Sequence, residues 1–119
     1  MTDPTDQMRG CILDTKTYNL AEQAGMFCDG LSEALNERPM DFSGAEFTFD
    51  ADEPYEIYFE WYFGDVKAGL SFMADRDESE WFVHRTDGKK MFRYRRSMKG
   101  DIWGSAAPFL EELSGALGH

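Results

Sequence analysis

The sequence has too few cysteines and histidines for the common metal and disulfide frameworks. It contains two of each in 119 residues. Cys11 and Cys28 have no CxxC spacing and no accompanying histidine, which argues against a zinc knuckle or a thioredoxin-like site. We therefore expect two free thiols in a reducing compartment, with Cys28 in the core.

Catalytic signatures are also missing. The chain contains no GxSxG, P-loop, HExxH or Rossmann pattern, so no nucleophile stands beside an evident base. His84 lies in a predicted strand next to Arg85, which is typical of a surface or cross-strand residue rather than of a general base. The sequence thus indicates a protein that is not an enzyme.

Long apolar runs are absent as well. No stretch approaches the roughly 20 apolar residues that span a bilayer, and no basic segment precedes an apolar run near the N-terminus. We expect a cytoplasmic protein that does not associate with a membrane.

Basic residues are scarce and unevenly placed. Lys and Arg number 12 against 23 Asp and Glu, which gives a net charge of −11. Residues 1–80 contain 19 acidic and 5 basic residues, whereas residues 81–119 contain 4 acidic and 7 basic residues. Such an acidic field repels nucleic acid and attracts basic protein surfaces. The alternative is that the charge only keeps an aromatic-rich protein soluble.

A β-hairpin over residues 55–74 is the most strongly patterned part of the chain. Gly64-Asp65 is a two-residue turn, because Gly supplies the positive φ that matches the twist of the strands. One face is then apolar, with the pairs Phe63/Val66, Trp61/Ala68, Phe59/Leu70, Ile57/Phe72 and Tyr55/Ala74. The other face carries Tyr62/Lys67, Glu60/Gly69, Tyr58/Ser71 and Glu56/Met73. Burial of the apolar face fixes this register.

The remaining patterns predict one helix before the sheet-forming part of the sequence and one helix after it. Residues 1–14 have no sustained period and are predicted to be a frayed terminus. A helix is expected over about 17–38, a strand over 45–50 and a last helix after Ser105. A second hairpin turns at Asp87-Gly88, pairing Thr86/Lys89, Val83/Phe92 and Trp81/Tyr94. The fold class is α+β: one domain over 1–119, with an antiparallel meander of about five strands and both helices on one face.

The outer face of the central hairpin is the first candidate site. Tyr and Met are favoured at protein interfaces, and carboxylates would select a basic partner. The predicted partner-binding residues are Glu56, Tyr58, Glu60, Tyr62 and Met73. The alternative is ordinary cross-strand packing, with cations of the last strand pairing the glutamates.

An acidic end of the sheet is the second candidate. Because Tyr55 pairs with Ala74, two acidic segments should lie at the same end of the sheet; their carboxylates are Asp50, Asp52, Glu53, Asp75, Asp77 and Glu78. Such oxygens suit Ca²⁺ or Mg²⁺, although neither segment has the EF-hand pattern. The preferred interpretation is that the two acidic loops are solvated, or that they form one side of a contact with a basic partner.

The segment KKMFRYRRSMK over 89–99 is basic with interleaved aromatics, a pattern that elsewhere suggests nucleic-acid binding. In a chain this acidic, the nearest partners for Arg93, Arg95 and Arg96 are the protein's own glutamates. We therefore expect internal pairing and no direct nucleic-acid binding.

The segments FEWYFGDVKAGLSF and EWFVHRTDGK, with the closing FLEEL helix, resemble a pattern in small bacterial proteins of unknown function. The resemblance covers about residues 55–113 and carries no catalytic residue across. In composition the chain is also similar to phage-encoded inhibitors such as anti-CRISPR proteins, and to immunity proteins that neutralise toxins.

Together these features predict a non-enzymatic, acidic protein-binding module without a cofactor. Its expected form is an inhibitor, encoded by a phage or mobile element, that occupies a basic or nucleic-acid-binding surface of a target protein. The alternative is a small-molecule or divalent-metal-binding α+β domain. An exposed edge strand could in addition mediate a homodimer.

Overall fold

The computed structural model describes residues 2–118, the side chain of Asp87 excepted, and has an α+β fold. Its elements in chain order are α1 (Pro4–Leu13), α2 (Tyr18–Glu37), β1 (Glu46–Asp52), β2 (Glu56–Phe63), β3 (Val66–Met73), β4 (Glu80–Asp87), β5 (Lys90–Ser97) and α3 (Ala106–Ala116). Short 3₁₀ turns at Arg76–Glu78 and Trp103–Ser105 precede β4 and α3. The strands form one antiparallel sheet in the order β1-β2-β3-β4-β5, which confirms the predicted meander.

The first hairpin, β2–β3, has the predicted register at every pair from Phe63/Val66 to Glu56/Met73. Gly64 adopts a φ of 70°, as the two-residue turn requires. The pairing extends to Tyr55, whose carbonyl accepts a hydrogen bond from the Ala74 amide at 2.8 Å.

The second hairpin, β4–β5, differs from the prediction by two residues. Thr86 pairs with Met91 rather than Lys89, and Val83 pairs with Tyr94 rather than Phe92. The reason is the turn, which is Gly88-Lys89: Gly88, with a φ of 62°, occupies the first turn position, as Gly64 does in the first hairpin. A shift of two keeps each side chain on its predicted face, so Trp81 and Val83 are still buried.

An additional helix, α1, corrects the prediction of a frayed terminus over residues 1–14. Asp3 caps this helix by accepting a hydrogen bond from the Thr5 amide at 2.9 Å, and Pro4 occupies the first turn, where no amide hydrogen is needed. Met8 is fully buried against the core. The N-terminal segment is therefore part of the folded domain.

Aromatic side chains fill the layer between the helices and one face of the sheet. Phe109 of α3 lies with its ring centroid 5.7 Å from that of Phe27, 6.4 Å from Trp61 and 5.9 Å from Trp81. The Trp61 indole also donates a hydrogen bond to Gln7 of α1 at 2.9 Å. The helices thus cover the apolar face, as predicted. Among residues 2–118, no helix is both long enough and apolar enough to cross a membrane.

Candidate partner-binding face

The sheet face away from the helices is called the open face below. Side chains of directly paired residues project to the same side of a sheet, so the register defines this face. It consists of Glu46, Thr48, Asp50 and Asp52 on β1; Glu56, Tyr58, Glu60 and Tyr62 on β2; Lys67, Gly69, Ser71 and Met73 on β3; Glu80, Phe82, His84 and Thr86 on β4; and Met91, Arg93, Arg95 and Ser97 on β5.

The centre of the open face is packed rather than wet. Phe82 lies over Gly69, which has no side chain to obstruct it, and stacks on the Tyr58 ring at a centroid distance of 6.0 Å. Phe82 is only 2% exposed and the neighbouring Glu60 only 4%. The Glu60 carboxylate accepts a hydrogen bond from the Tyr58 hydroxyl and lies 3.4 Å from the Lys67 ammonium. A buried carboxylate with both partners is stable, because its lone pairs and its charge are satisfied.

Two pKa shifts follow from this packing. Burial, together with the hydrogen bond to Glu60, raises the pKa of Tyr58 well above its ordinary value, so the hydroxyl remains a donor. Partial burial, reinforced by the positive charges of Lys67, Arg93 and Arg95, lowers the pKa of His84. The lowered pKa favours the neutral form of the imidazole.

The five predicted partner-binding residues are brought together on β2 and β3, but they differ in accessibility. Glu60 is buried, and Tyr58, Glu56 and Met73 are half-buried. Glu56 also accepts a hydrogen bond from Ser71. Tyr62 is 36% exposed. Tyr58 and Glu60 thus have an internal packing role, and the cation beside Glu60 belongs to β3, not to the last strand. Binding of a partner by these five residues stays a prediction.

The six carboxylates of the predicted acidic end do not converge on one point. Glu53 accepts hydrogen bonds from the Thr17 and Lys16 amides at the start of α2, and hydrogen bonding to Thr17, first by its side chain and then by its amide, lowers the pKa of Glu53. Asp75 caps the 3₁₀ turn by accepting from the Asp77 amide at 3.0 Å. No group of three or more His, Cys, Asp or Glu within the described residues could hold a metal ion. The metal-binding alternative therefore gains no geometric support.

Asp50 and Asp52 instead continue the surface of the first candidate site. Asp50 pairs with Tyr58, and Asp52 with Glu56, so both carboxylates project onto the open face. Together with Glu46 they form what we call the acidic strip: Glu46, Asp50 and Asp52, all exposed on β1. None of the three has a salt-bridge partner among residues 2–118.

Glu46 belongs to the acidic strip but was not among the site residues predicted from the sequence. The alternation of Glu46 and Thr48 with Phe47 and Phe49 signals a strand with two faces, and that signal is visible in the sequence. What the sequence does not contain is the position of β1 at the edge of the sheet, which leaves Glu46 without a neighbour on one side.

Strand β5 carries the opposite charge at the other edge. Arg95 lies 3.4 Å from Glu80, as the expected internal pairing requires. Arg96 instead stacks over the Tyr94 ring at 3.9 Å, and Arg93 donates to the Met91 sulfur at 3.1 Å. Four strand spacings separate β1 from β5, or about 19 Å, more than twice the screening length of about 8 Å at physiological salt. The acidic strip and the β5 arginines therefore do not neutralise each other.

The fold and the open face define a small α+β protein with a charge-polarised, uncovered sheet surface. The chain matches no family model, no curated protein and no solved structure. The resemblance of residues 55–113 to small bacterial proteins therefore stays a prediction.

Proposed function

We propose that this protein is a non-enzymatic binding module whose acidic strip binds a basic surface on a partner protein. The observation that carries the proposal is the strip itself: three exposed carboxylates on one side of an edge strand, without salt-bridge partners among the described residues. Unpaired charge of one sign on a rigid strand attracts a surface of the opposite sign and orients its approach.

Neighbouring residues give the strip the other features of an interface. Tyr55, in the loop that follows β1, is 65% exposed, and Tyr62 lies beside Glu46 in the register. Exposed tyrosines provide large contact area at small entropic cost, and they are enriched in interfaces. The net charge of −11 extends the attraction to longer range and speeds association with a basic partner.

The like charges along each edge strand, β1 and β5, argue against a symmetric dimer through either edge. Pairing β1 with β1 would bring Asp50 and Asp52 against their own copies, and pairing β5 with β5 would do the same with the arginines. Like charges opposite one another on neighbouring strands are destabilising. A two-fold dimer through either edge is therefore disfavoured.

The specific form of the proposal is an inhibitor in the cytoplasm, encoded by a phage or mobile element, that covers a basic or nucleic-acid-binding surface of its target. This form is supported by the acidic strip and by the net charge, because both are complementary to the basic surfaces with which proteins bind phosphates. Inhibition would be steric and electrostatic, and would need no catalytic group.

The test compares two variants with the same charge. The strip variant carries Glu46→Gln, Asp50→Asn and Asp52→Asn, and the control carries Glu33→Gln, Glu37→Gln and Glu111→Gln on exposed helical positions. Each changes the net charge from −11 to −8. Both are used, with the wild type, to capture proteins from host lysate at about 0.1 M and about 0.5 M salt, since charge-steered contacts weaken over that range.

The expected result is one basic protein that the wild type and the control retain at low salt, that the strip variant retains less, and that high salt releases. Equal capture by the strip variant would show that the strip is not the binding surface. Loss with both variants would show that only net charge matters.

A further inference from the structure

A surface cleft of 600 Å³ lies on the basic half of the open face, beside the β2–β3 turn. Its lining includes Tyr62, Lys67, His84, Thr86 and Arg93. The volume is within the range of about 300–1,000 Å³ typical of small-molecule sites. The cleft contains none of the three carboxylates of the acidic strip, although it shares Tyr62 with the proposed interface, so its occupant would differ from the proposed protein partner.

Three nitrogen-bearing side chains form a row across the cleft. Lys67 pairs with His84, and His84 pairs with Arg93, on the neighbouring strands β3, β4 and β5. Directly paired side chains have their Cβ atoms about 4.5–5.5 Å apart, so the row presents three successive donors on one side of the sheet. The register of two hairpins, rather than any local motif, creates this arrangement.

The two cations differ in how they are held. Lys67 is fixed by Glu60 at 3.4 Å and lies over the rings of Tyr62 and Phe82 at 5.6 and 5.8 Å. Arg93 is exposed and has no carboxylate partner among the side chains that the structure describes; its Nε donates to the Met91 sulfur. The forked guanidinium is therefore available to a ligand.

His84 lies among positively charged side chains, so a bound anion would reduce the electrostatic repulsion between them. The imidazole packs against Phe82 at a centroid distance of 4.6 Å, between Lys67 and Arg93 and near Arg95. Its pKa is lowered by burial first and by these three cations next, while Glu60 acts in the opposite direction. Among the residues that line the cleft, the carboxylate is that of Asp65, which lies in the β2–β3 turn at the edge of the cleft.

We infer that this cleft binds the phosphate group of a small molecule, with Arg93 as a bidentate donor and with Lys67 and His84 as further donors. A phosphate offers several acceptor oxygens, which suits a guanidinium fork beside an ammonium and an imidazole N–H. The ligand is small because an extended polyanion such as nucleic acid would also meet the acidic strip and the net charge of −11.

The experiment is an NMR titration of the isotopically labelled full chain with inorganic phosphate, at ionic strength held constant with sodium chloride. The variant Arg93→Gln tests the site, and Arg96→Gln, on the same strand but the other face, is the matched control. Both positions are exposed, so both variants should fold; thermal unfolding verifies this.

We expect saturable shifts at Lys67, His84 and Arg93, and an upward shift of the His84 pKa at saturation, because a bound anion offsets the nearby positive charges. Arg93→Gln should weaken phosphate binding at least about tenfold, the usual consequence of losing a charge-assisted hydrogen bond, and Arg96→Gln should leave it unchanged. The inference is overturned if sodium chloride alone reproduces the shifts, or if both variants bind equally. It is also overturned if an oligonucleotide binds this site more tightly than inorganic phosphate.

Discussion

Gly69→Ala is the substitution that most sharply probes the packed centre of the open face. A Cβ at this position would lie 2.4 Å from Cε1 and Cζ of Phe82 and 3.0 Å from the Phe59 carbonyl oxygen. The ring would have to move, yet it is 2% exposed and stacks on Tyr58, whose hydroxyl bonds to Glu60. One added methyl group therefore disturbs the whole cluster.

The magnitude follows from two opposing effects. Overpacking of a filled site costs about 1–3 kcal/mol, because side chains are forced from their rotamers. Replacing a strand glycine by alanine returns about 0.5–1 kcal/mol, because the unfolded chain loses freedom. At the midpoints of these two ranges, the free energy of unfolding should fall by about 1 kcal/mol. Gly25→Ala is the control: its Cβ would have no neighbour within 4 Å, so this variant should be stabilised by up to about 1 kcal/mol.

Urea denaturation of both single variants, Phe82→Leu and the double variant measures the coupling directly. A leucine removes the ring edge that the new methyl group meets, so Gly69→Ala should cost at least about 1 kcal/mol less in the Phe82→Leu background. Additive effects of the two substitutions, or a stabilising Gly69→Ala, would refute the packed cluster.

Three further predictions concern the helix layer, the thiols and the Tyr58 hydroxyl. Gly30→Ala should destabilise the protein by more than about 2 kcal/mol in urea denaturation, because its Cβ would lie 2.2 Å from the Trp103 carbonyl oxygen in the backbone. At pH 8 a thiol reagent should modify the half-buried Cys11 first and leave Cys28 unmodified until denaturant is added, because burial raises the pKa of Cys28 to about 12; prompt double labelling would contradict this. Tyr58→Phe should lower the free energy of unfolding by a constant amount at pH 7–9. Since folding raises the Tyr58 pKa, the wild type loses this advantage as the hydroxyl ionises, and the difference should shrink above about pH 10. A difference that widens there would contradict the role of the Tyr58 hydroxyl as a buried donor to Glu60.

The hairpins show what the sequence can and cannot determine about the sheet. Alternation of large apolar residues with Glu and Tyr, plus one Gly-Asp turn, is enough for the register of β2–β3. In β4–β5 the same kind of sequence pattern allows Gly88 at either position of the two-residue turn. The two possibilities give registers that differ by two residues and bury the same side chains. The α1 helix was missed because ten residues give a weak period, although the Asp3-Pro4 start signal is present.

The candidate site depends on contacts that no local pattern contains. Burial of Glu60 requires Phe82 to reach over Gly69 from β4, and that contact depends on the register between the two hairpins. The acidic strip depends in the same way on β1 being an edge strand. Sequence alternation assigns such residues to a face, but only the order of the strands decides which of them are covered.

The measurement that tests the proposed function most directly is the affinity of the captured partner for three proteins: the wild type, the strip variant and the helical control. Solvent-exposed charge pairs contribute about 0.2–1 kcal/mol each, so loss of three should raise the Kd by about 3–150-fold at about 0.1 M salt. The control should stay within about twofold of the wild type, and the difference should narrow at about 0.5 M salt. Equal Kd values for the strip variant and the wild type, or an equal loss in the control, would contradict binding through the acidic strip.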